Sequence, residues 1–237
     1  MQKNFLWGSS ISGGQCEGGY DSRGETVVDL IPAGKDTRFQ YLDNPGIYMT
    51  RPAGFYPSQK GVEFYEHYKD DIALYAKMGL KALRFSILWS RIFQDDSLTP
   101  QEEGLQFYDR VIDELIKHHI EPIITTIHFD MPVWVVEKYN GFYNKKVVEL
   151  YEHYVKTIVS RYYDRVKYWI SFCEINVMNH ALYMVAGTIV QKGQNRDEIL
   201  HQCAYHQLLA NAILVKVCHE MDDSLKVGCE VAGSPCY

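Results

Sequence analysis

The residues with the clearest chemical potential lie where an aromatic-rich apolar run meets a carboxylate. Residues 167–174 read Lys-Tyr-Trp-Ile-Ser-Phe-Cys-Glu, so Glu174 ends a segment with strong β character. Partial removal from water favours the protonated carboxyl form, which suits Glu174 to donate a proton near neutral pH. A strand-end glutamate exposed to solvent or paired with an arginine is the ordinary alternative for Glu174.

Other polar side chains lie in or directly after apolar runs. Arg84 lies inside the run Leu-Arg-Phe-Ser-Ile, where a charge is costly unless it is paired. His128 and Phe129 follow a β-branched run and could bind a hydroxyl and stack on an apolar ring face. Gln15 lies in a glycine-rich turn and could bind adjacent hydroxyls. A structural ion pair, a structural histidine and a plain turn residue are the alternatives at these positions.

The elements that must position these residues alternate between short apolar strands and amphipathic helices. The pattern predicts strands at 4–8, 82–88, 123–127, 166–173 and 226–232, and helices at 62–78, after Thr99-Pro100, at 145–163 and at 197–219. Thr99 and Glu102 resemble a capping box. Leu105, Tyr108, Ile112 and Leu115 form the expected buried stripe of that helix.

This alternation contains no hairpin signal, which favours an α/β fold with a parallel sheet. Two architectures fit five strands: an open doubly wound sheet, or about five of the eight β/α units of a (β/α)8 TIM barrel. We expect a single domain over residues 1–237, with a long active-site loop at about 9–58.

Composition narrows the function classes. The 237 residues carry a formal charge of −6 without a basic stripe, which argues against nucleic-acid binding. No apolar run suggests a membrane span or a signal peptide. The six cysteines form no C-x-x-C pairs, and no H-E-x-x-H occurs, so we expect reduced thiols, a cytoplasmic protein, and neither a metal nor a cofactor.

In order and spacing, these motifs resemble glycoside hydrolase family 1, and within it the bacterial 6-phospho-β-glucosidases. The resemblance covers essentially the whole chain. It rests on Phe5-Leu-Trp-Gly, Gln15-Cys-Glu-Gly, residues 83–93, His128-Phe-Asp-Met-Pro, residues 166–176 with their Glu-Ile-Asn ending, Val227-Gly-Cys-Glu-Val-Ala and Ser234-Pro-Cys-Tyr.

The resemblance implies a retaining two-carboxylate mechanism on a β-glucoside or 6-phospho-β-glucoside. Glu174 would be the general acid/base, with Arg84 and Asn176 in supporting roles, and Arg84 in particular would support the nucleophile's carboxylate. Gln15 and His128, with Phe129 beside them, would bind the sugar. Cys173 stands in this binding set where the family has an asparagine that bonds the 2-hydroxyl, and a thiol is a poor replacement.

The resemblance also implies that the family's nucleophile and phosphate-binding segments are not matched by this sequence. We therefore expect the chain to supply the acid/base half-site and to be inactive alone. An inactive sugar-binding relic and a half-barrel interaction module are the alternatives. Because five strands cannot close a barrel, the chain is expected to need a complementary chain or a second copy of itself.

Overall fold

A computed structural model describes residues 5–36, 40 and 45–233 of the chain. Residue 4 of the predicted first strand, residues 37–39 and 41–44 of the predicted long loop, and the family-like residues 234–237 lie outside the described residues. Several short helical turns occupy the described part of that loop, including Val27–Leu30 and Pro45–Thr50.

Within the part of the chain that the structure describes, five parallel strands form one sheet in chain order. They are β1 (Gly8–Ser10), β2 (Ala82–Ser86), β3 (Glu121–Ile127), β4 (Tyr168–Phe172) and β5 (Lys226–Gly228). A doubly wound sheet reverses its strand order at a switch point, and this sheet has no reversal. The partial (β/α)8 prediction is therefore confirmed, and the doubly wound alternative is wrong.

The first and last strands differ most from the sequence prediction. β1 begins at Gly8 and not at residue 4, and a Cβ at Gly8 would lie 2.6 Å from the Ala82 carbonyl oxygen. Only glycine permits that close approach to β2. β5 ends at Gly228 and not at residue 232, although the Glu230 N–H still donates to the Phe172 carbonyl at 3.1 Å.

Helices connect and cover the strands. They are α1 (Pro57–Lys60), α2 (Phe64–Lys77), α3 (Trp89–Ile92), α4 (Glu102–Lys117), α5 (Val133–Tyr139), α6 (Lys146–Tyr162), α7 (Leu182–Ala186) and α8 (Arg196–Met221). The predicted helices at 62–78, 145–163 and 197–219 correspond to α2, α6 and α8. None of the described helices combines the length and apolar character that crossing a membrane requires.

Helix α4 confirms its predicted stripe but not its predicted cap. Leu105, Tyr108, Ile112 and Leu115 are all buried. The helix starts at Glu102, so the capping box at Thr99 is wrong. The Gln101 N–H instead donates to the Ile92 carbonyl at 2.8 Å, which ties the residue before α4 to the end of α3.

A buried ion pair fixes the turn that carries Gln15. The Arg91 Nε of α3 donates to Glu17 Oε1 at 2.5 Å, and the Tyr108 hydroxyl donates to Glu17 Oε2 at 2.7 Å. Both partners of the ion pair are almost fully buried. The pair therefore anchors the π-helical turn Gly13–Glu17 above the strand ends.

Removing one partner of this pair should destabilise the chain strongly. We expect Arg91→Ala to lower the free energy of unfolding by about 3–5 kcal/mol, because Glu17 would be left as an uncompensated buried charge. Urea denaturation followed by circular dichroism measures the loss. The exposed Lys146–Glu149 pair offers the control: Glu149→Ala should leave the midpoint nearly unchanged. Equal midpoints for Arg91→Ala and the wild type would contradict this role.

Candidate active site

The carboxyl ends of β2 to β5 bring four of the sequence-predicted residues together. Arg84 lies in β2, His128 directly follows β3, and Cys173 and Glu174 directly follow β4. In a parallel sheet these ends share one edge, which explains why residues so far apart in sequence meet. The same cluster contains Glu230, which follows β5.

Arg84 contacts three other residues of the cluster. Its Nη1 pairs with the Glu230 carboxylate, and its Nη2 donates to His128 Nδ1 at 2.9 Å. Its Nη2 also lies 3.8 Å from Cys173 Sγ. The Nε atom is buried and makes no hydrogen bond within the described residues. The guanidinium is therefore the fixed positive charge around which the other side chains are arranged.

His128 is neutral at this position. An arginine can only donate, so His128 Nδ1 must accept from Arg84, and the ring proton is on Nε2. Burial and, to a smaller extent, the Arg84 charge lower the pKa of His128 to about 4, and Glu230 opposes both. Phe129 packs edge-to-face on the imidazole with 5.4 Å between ring centroids. The imidazole is thus held as an uncharged donor.

Cys173 is buried behind this group rather than directed to solvent. Its Sγ lies 3.5 Å from His128 Nε2. Burial and the neighbouring Glu230 carboxylate together raise the pKa of the Cys173 thiol to about 12. The thiol is therefore protonated at neutral pH.

Glu174 is half-buried and has a left-handed backbone conformation, with φ 48° and ψ 48°. Such a conformation is uncommon for a residue with a side chain and is concentrated at functional sites. It ends the strand abruptly and starts the 3-10 helix Ile175–Asn179. Single oxygens of Glu174 and Glu230 and the Cys173 sulfur all lie within 4.8 Å of one another.

Gln15 and Asn176 make their hydrogen bonds outside the Arg84 cluster. The Gln15 side chain is exposed, and its Oε1 accepts from the Ser12 hydroxyl at 3.0 Å. The Asn176 amide donates to the Ala232 carbonyl and accepts from the Ala232 N–H, both at 2.9 Å. Asn176 therefore anchors the segment that follows β5 and so helps to place Glu230.

A second buried carboxyl positions the backbone at the end of β3. Asp130 Oδ1 accepts from the His128 N–H at 2.9 Å, and Oδ2 accepts from the Ser86 hydroxyl at 3.2 Å. Ser86 Oγ in turn accepts from the Gly13 N–H at 2.7 Å. The chain of bonds links the ends of β2 and β3 to the Gln15 turn. Burial raises the pKa of Asp130 to about 7.

Asp130 should therefore make stability fall as pH rises. With its folded pKa near 7 and an unfolded value near 3.8, the carboxyl stabilises the fold below pH 4 and loses that contribution as pH rises through 7. Asp130→Asn removes the titration, so its free energy of unfolding relative to wild type should rise by about 2–4 kcal/mol from pH 4 to pH 8. Urea denaturation at both pH values checks this. A constant difference would contradict a raised pKa.

Sequence reasoning missed Glu230, Ser86 and the role of Asp130. Glu230 falls inside the predicted strand 226–232. Because the predicted strand is too long, the sequence did not indicate that Glu230 follows the end of β5. Its place in Cys-Glu-Val, after a short apolar run, is the same signal that identified Glu174.

Cys173, Glu174 and Glu230 also offer atoms of the kind that bind metal ions. The Arg84 guanidinium, however, pairs with Glu230 and lies beside Cys173. A cation would have to compete with that fixed charge, so the donor set fits a metal poorly.

Five parallel strands in chain order, with a glutamate after β4 and an arginine inside β2, define part of a TIM barrel that carries polar side chains at the carboxyl ends of its strands. The chain belongs to glycosyl hydrolase family 1, whose sequence model matches residues 1–237. It is 40% identical over 238 residues to the 6-phospho-beta-glucosidase AscB of Escherichia coli, covering 99% of this chain and 50% of AscB. It is 41% identical to the aryl-phospho-beta-D-glucosidase BglH of Bacillus subtilis, covering 99% of this chain and 49% of BglH.

Solved structures agree with this placement. The beta-glucosidase of Thermotoga maritima in complex with castanospermine matches with a TM-score of 0.78 and 26% identity, over 100% of this chain and 51% of that one. The same enzyme with cyclophellitol matches with a TM-score of 0.77 and 27% identity, over 97% and 49%. The chain thus spans about half the length of the relatives that it matches.

Proposed function

We propose that this chain supplies the acid/base half of a retaining β-glycosidase that acts on 6-phospho-β-glucosides. The observation that carries the proposal is the position of Glu174: half-buried, at the carboxyl end of β4, beside the Arg84–His128–Cys173 cluster. Relatives named as phospho-β-glucosidases, such as AscB and BglH, support the substrate class.

In this role Glu174 donates a proton to the leaving oxygen and then removes one from the attacking water. His128 and Phe129 would bind the sugar, His128 through its Nε2 proton and Phe129 through its ring face. Cys173 would position neighbouring groups from its buried site. Gln15 lies on the exposed turn above the strand ends, where it would bind sugar hydroxyls. Five free thiols among the described residues suit a cytoplasmic location.

The test combines this chain with the half of BglH that it does not match. We call this combination the complemented chain. We expect hydrolysis of an aryl 6-phospho-β-glucoside to exceed that of the plain aryl β-glucoside. No hydrolysis of either substrate by a folded complemented chain would refute the proposed function, and preference for the plain glucoside would refute the substrate class.

Both edges of the sheet favour a partner for this half-barrel. Within the described residues, β1 pairs only with β2, and β5 only with β4. Exposed apolar side chains belong to segments that adjoin the edge strands in the chain: Phe5 and Trp7 precede β1, Leu74 and Met78 lie in and just after α2, and Tyr205 and Leu208 lie on α8, which precedes β5. Uncovered strand edges and apolar patches of this kind mark interaction surfaces. We propose that a complementary half, or a second copy of the chain, covers them.

The isolated chain should therefore self-associate, and the BglH half should replace this by a one-to-one complex. Tyr205 and Leu208 are three residues apart on one exposed face of α8, so Leu208→Lys should weaken that complex about 10–100-fold. Light scattering and a binding titration measure both effects. Tyr163→Lys, at the end of α6, is the control. A single-chain mass across the concentration series would contradict the need for a partner.

A further inference from the structure

A cleft of about 560 Å³ lies outside the Arg84 cluster. Three parts of the chain form it: the turn Tyr20–Ser22, the segment 54–56, and the end of α1 with the start of α2. None of the residues that form the Arg84 cluster lines the cleft. Its volume is within the range of sites that bind small molecules. The cleft is therefore a candidate binding site separate from the candidate active site.

Buried contacts fix the Tyr20–Ser22 wall of the cleft. Gly19 has φ 56°, and a Cβ atom there would lie 2.7 Å from the Tyr65 ring, so only glycine allows this turn to pack so closely on α2. The buried Arg91 guanidinium donates to the Gly19 carbonyl at 3.3 Å and to the Ser22 hydroxyl at 2.8 Å. A wall held in this way loses little conformational freedom when a ligand binds.

Aromatic rings give the cleft its apolar surface. Tyr20, Phe55, Tyr56 and Tyr65 all line it. The Phe55 side chain is 65% exposed, so its ring is accessible to a ligand in the cleft. An aromatic ring offers a ligand a flat apolar face. The cleft therefore suits a ligand that has an apolar face of its own.

The charged groups of the cleft are mostly hydrogen-bond acceptors. The carboxylates of Asp21, Glu63 and Glu66 line it, against one ammonium group, that of Lys60. Lys60 pairs with Glu63 at 3.7 Å. Within the described residues, no side-chain hydrogen bond or ion pair engages Asp21 or Glu66. Because an ionised carboxylate can only accept, the ligand must supply the donors.

We propose that this cleft binds a neutral pyranose sugar. The hydroxyl groups of the sugar donate to Asp21 and Glu66, and hydrogen bonds to ionised acceptors are stronger than those between neutral groups. The face of the sugar that carries C–H groups packs on the Phe55 ring. The excess of carboxylates repels sugar phosphates, so this cleft takes a different class of ligand from the Arg84 cluster. The assignment of the cleft does not depend on the proposed function.

An organic cation is the other ligand that carboxylates and aromatic rings attract. Two rings of the cleft, however, already have an arginine beside them. The Arg23 guanidinium lies 5.6 Å from the centroid of the Tyr20 ring. The Arg91 guanidinium lies 4.3 Å from the centroid of the Tyr65 ring. These fixed positive charges reduce the attraction for a further cation, so a neutral sugar fits the cleft better.

Calorimetric titration of the isolated 237-residue chain with cellobiose, a neutral disaccharide of glucose, tests the proposal. We expect binding that Phe55→Ala weakens about 5–10-fold, because the sugar loses its apolar contact. Asp21→Asn should weaken it about 3–10-fold, since the acceptor loses its charge. Both side chains are exposed, so the two variants should keep the circular dichroism spectrum of the wild type.

Two control variants locate the binding. Phe5→Ala removes an exposed phenylalanine outside the cleft and should bind cellobiose like the wild type. Glu174→Gln, in the candidate active site, should also bind it like the wild type. Absence of cellobiose binding, equal affinity of Phe55→Ala and the wild type, or loss of binding in Glu174→Gln would overturn the assignment. So would binding of tetramethylammonium, but not of cellobiose, that Phe55→Ala weakens.

Discussion

Glu174→Gln should reduce hydrolysis of an alkyl 6-phospho-β-glucoside by the complemented chain by about 10²–10⁴-fold. An alkoxide leaves poorly without a proton, and glutamine cannot donate one in the way a carboxylic acid does. With a 2,4-dinitrophenyl leaving group the formation of the glycosyl-enzyme should be almost unchanged, because that group departs as a stable anion. Steady-state and burst kinetics with the two substrates separate the effects.

The difference between the alkyl and dinitrophenyl substrates in the rate of glycosyl-enzyme formation is the diagnostic result. Replacing a residue that only supports the fold would lower that rate equally for both substrates. Glu220→Gln, on the exposed face of α8, should slow neither. If Glu174→Gln slowed formation of the glycosyl-enzyme by the same factor with the alkyl and the dinitrophenyl substrates, its role as the acid would be contradicted.

Arg84→Met should have the second large effect, on both turnover and His128. Removing the guanidinium takes away a donor from His128 Nδ1 and the charge partner of Glu230. Turnover by the complemented chain should fall about 10²–10³-fold, as when one preorganised electrostatic group is removed from a site. The pKa of His128 should rise from about 4, since the Arg84 charge is one of the two causes that lower it. NMR titration of the imidazole measures that rise.

Arg84→Lys provides a matched control for charge. A lysine keeps the positive charge, so the pKa of His128 should stay low. Its single ammonium cannot reproduce the fork that reaches Glu230 and His128 through two nitrogens, so turnover should still fall. A pKa of His128 that is unchanged in Arg84→Met would contradict the electrostatic coupling between these residues.

Most elements and the meeting of three site residues followed from the sequence pattern for a simple reason. Periodicity places Arg84 in β2, His128 after β3 and Glu174 after β4, and parallel strands bring these ends to one edge. The polar character of residues at otherwise apolar positions then identified them. That inference needed no knowledge of side-chain contacts.

Contacts between distant segments were beyond the reach of that reasoning. Glu230 joins the site because Asn176 fixes the following segment at Ala232, and periodicity carries no information about such a bond. Asp130 lies inside the family-like motif His128-Phe-Asp-Met-Pro, but its link to Gly13 passes through the Ser86 hydroxyl, which the motif does not reveal. The predicted start of α4 was wrong for a similar reason. A hydrogen bond from the Gln101 N–H to the Ile92 carbonyl fixes the residue before the helix, and the local capping signal at Thr99 gives no information about that bond.

Anomeric-proton NMR of the first product formed by the complemented chain is the most direct test of retaining chemistry with Glu174 as acid/base. From an aryl 6-phospho-β-glucoside, we expect β-glucose 6-phosphate to appear first and the α anomer to follow only by mutarotation. The alkyl substrate should give the same order more slowly and should give almost no product with Glu174→Gln. First appearance of the α anomer, or undiminished hydrolysis of the alkyl substrate by Glu174→Gln, would contradict this assignment.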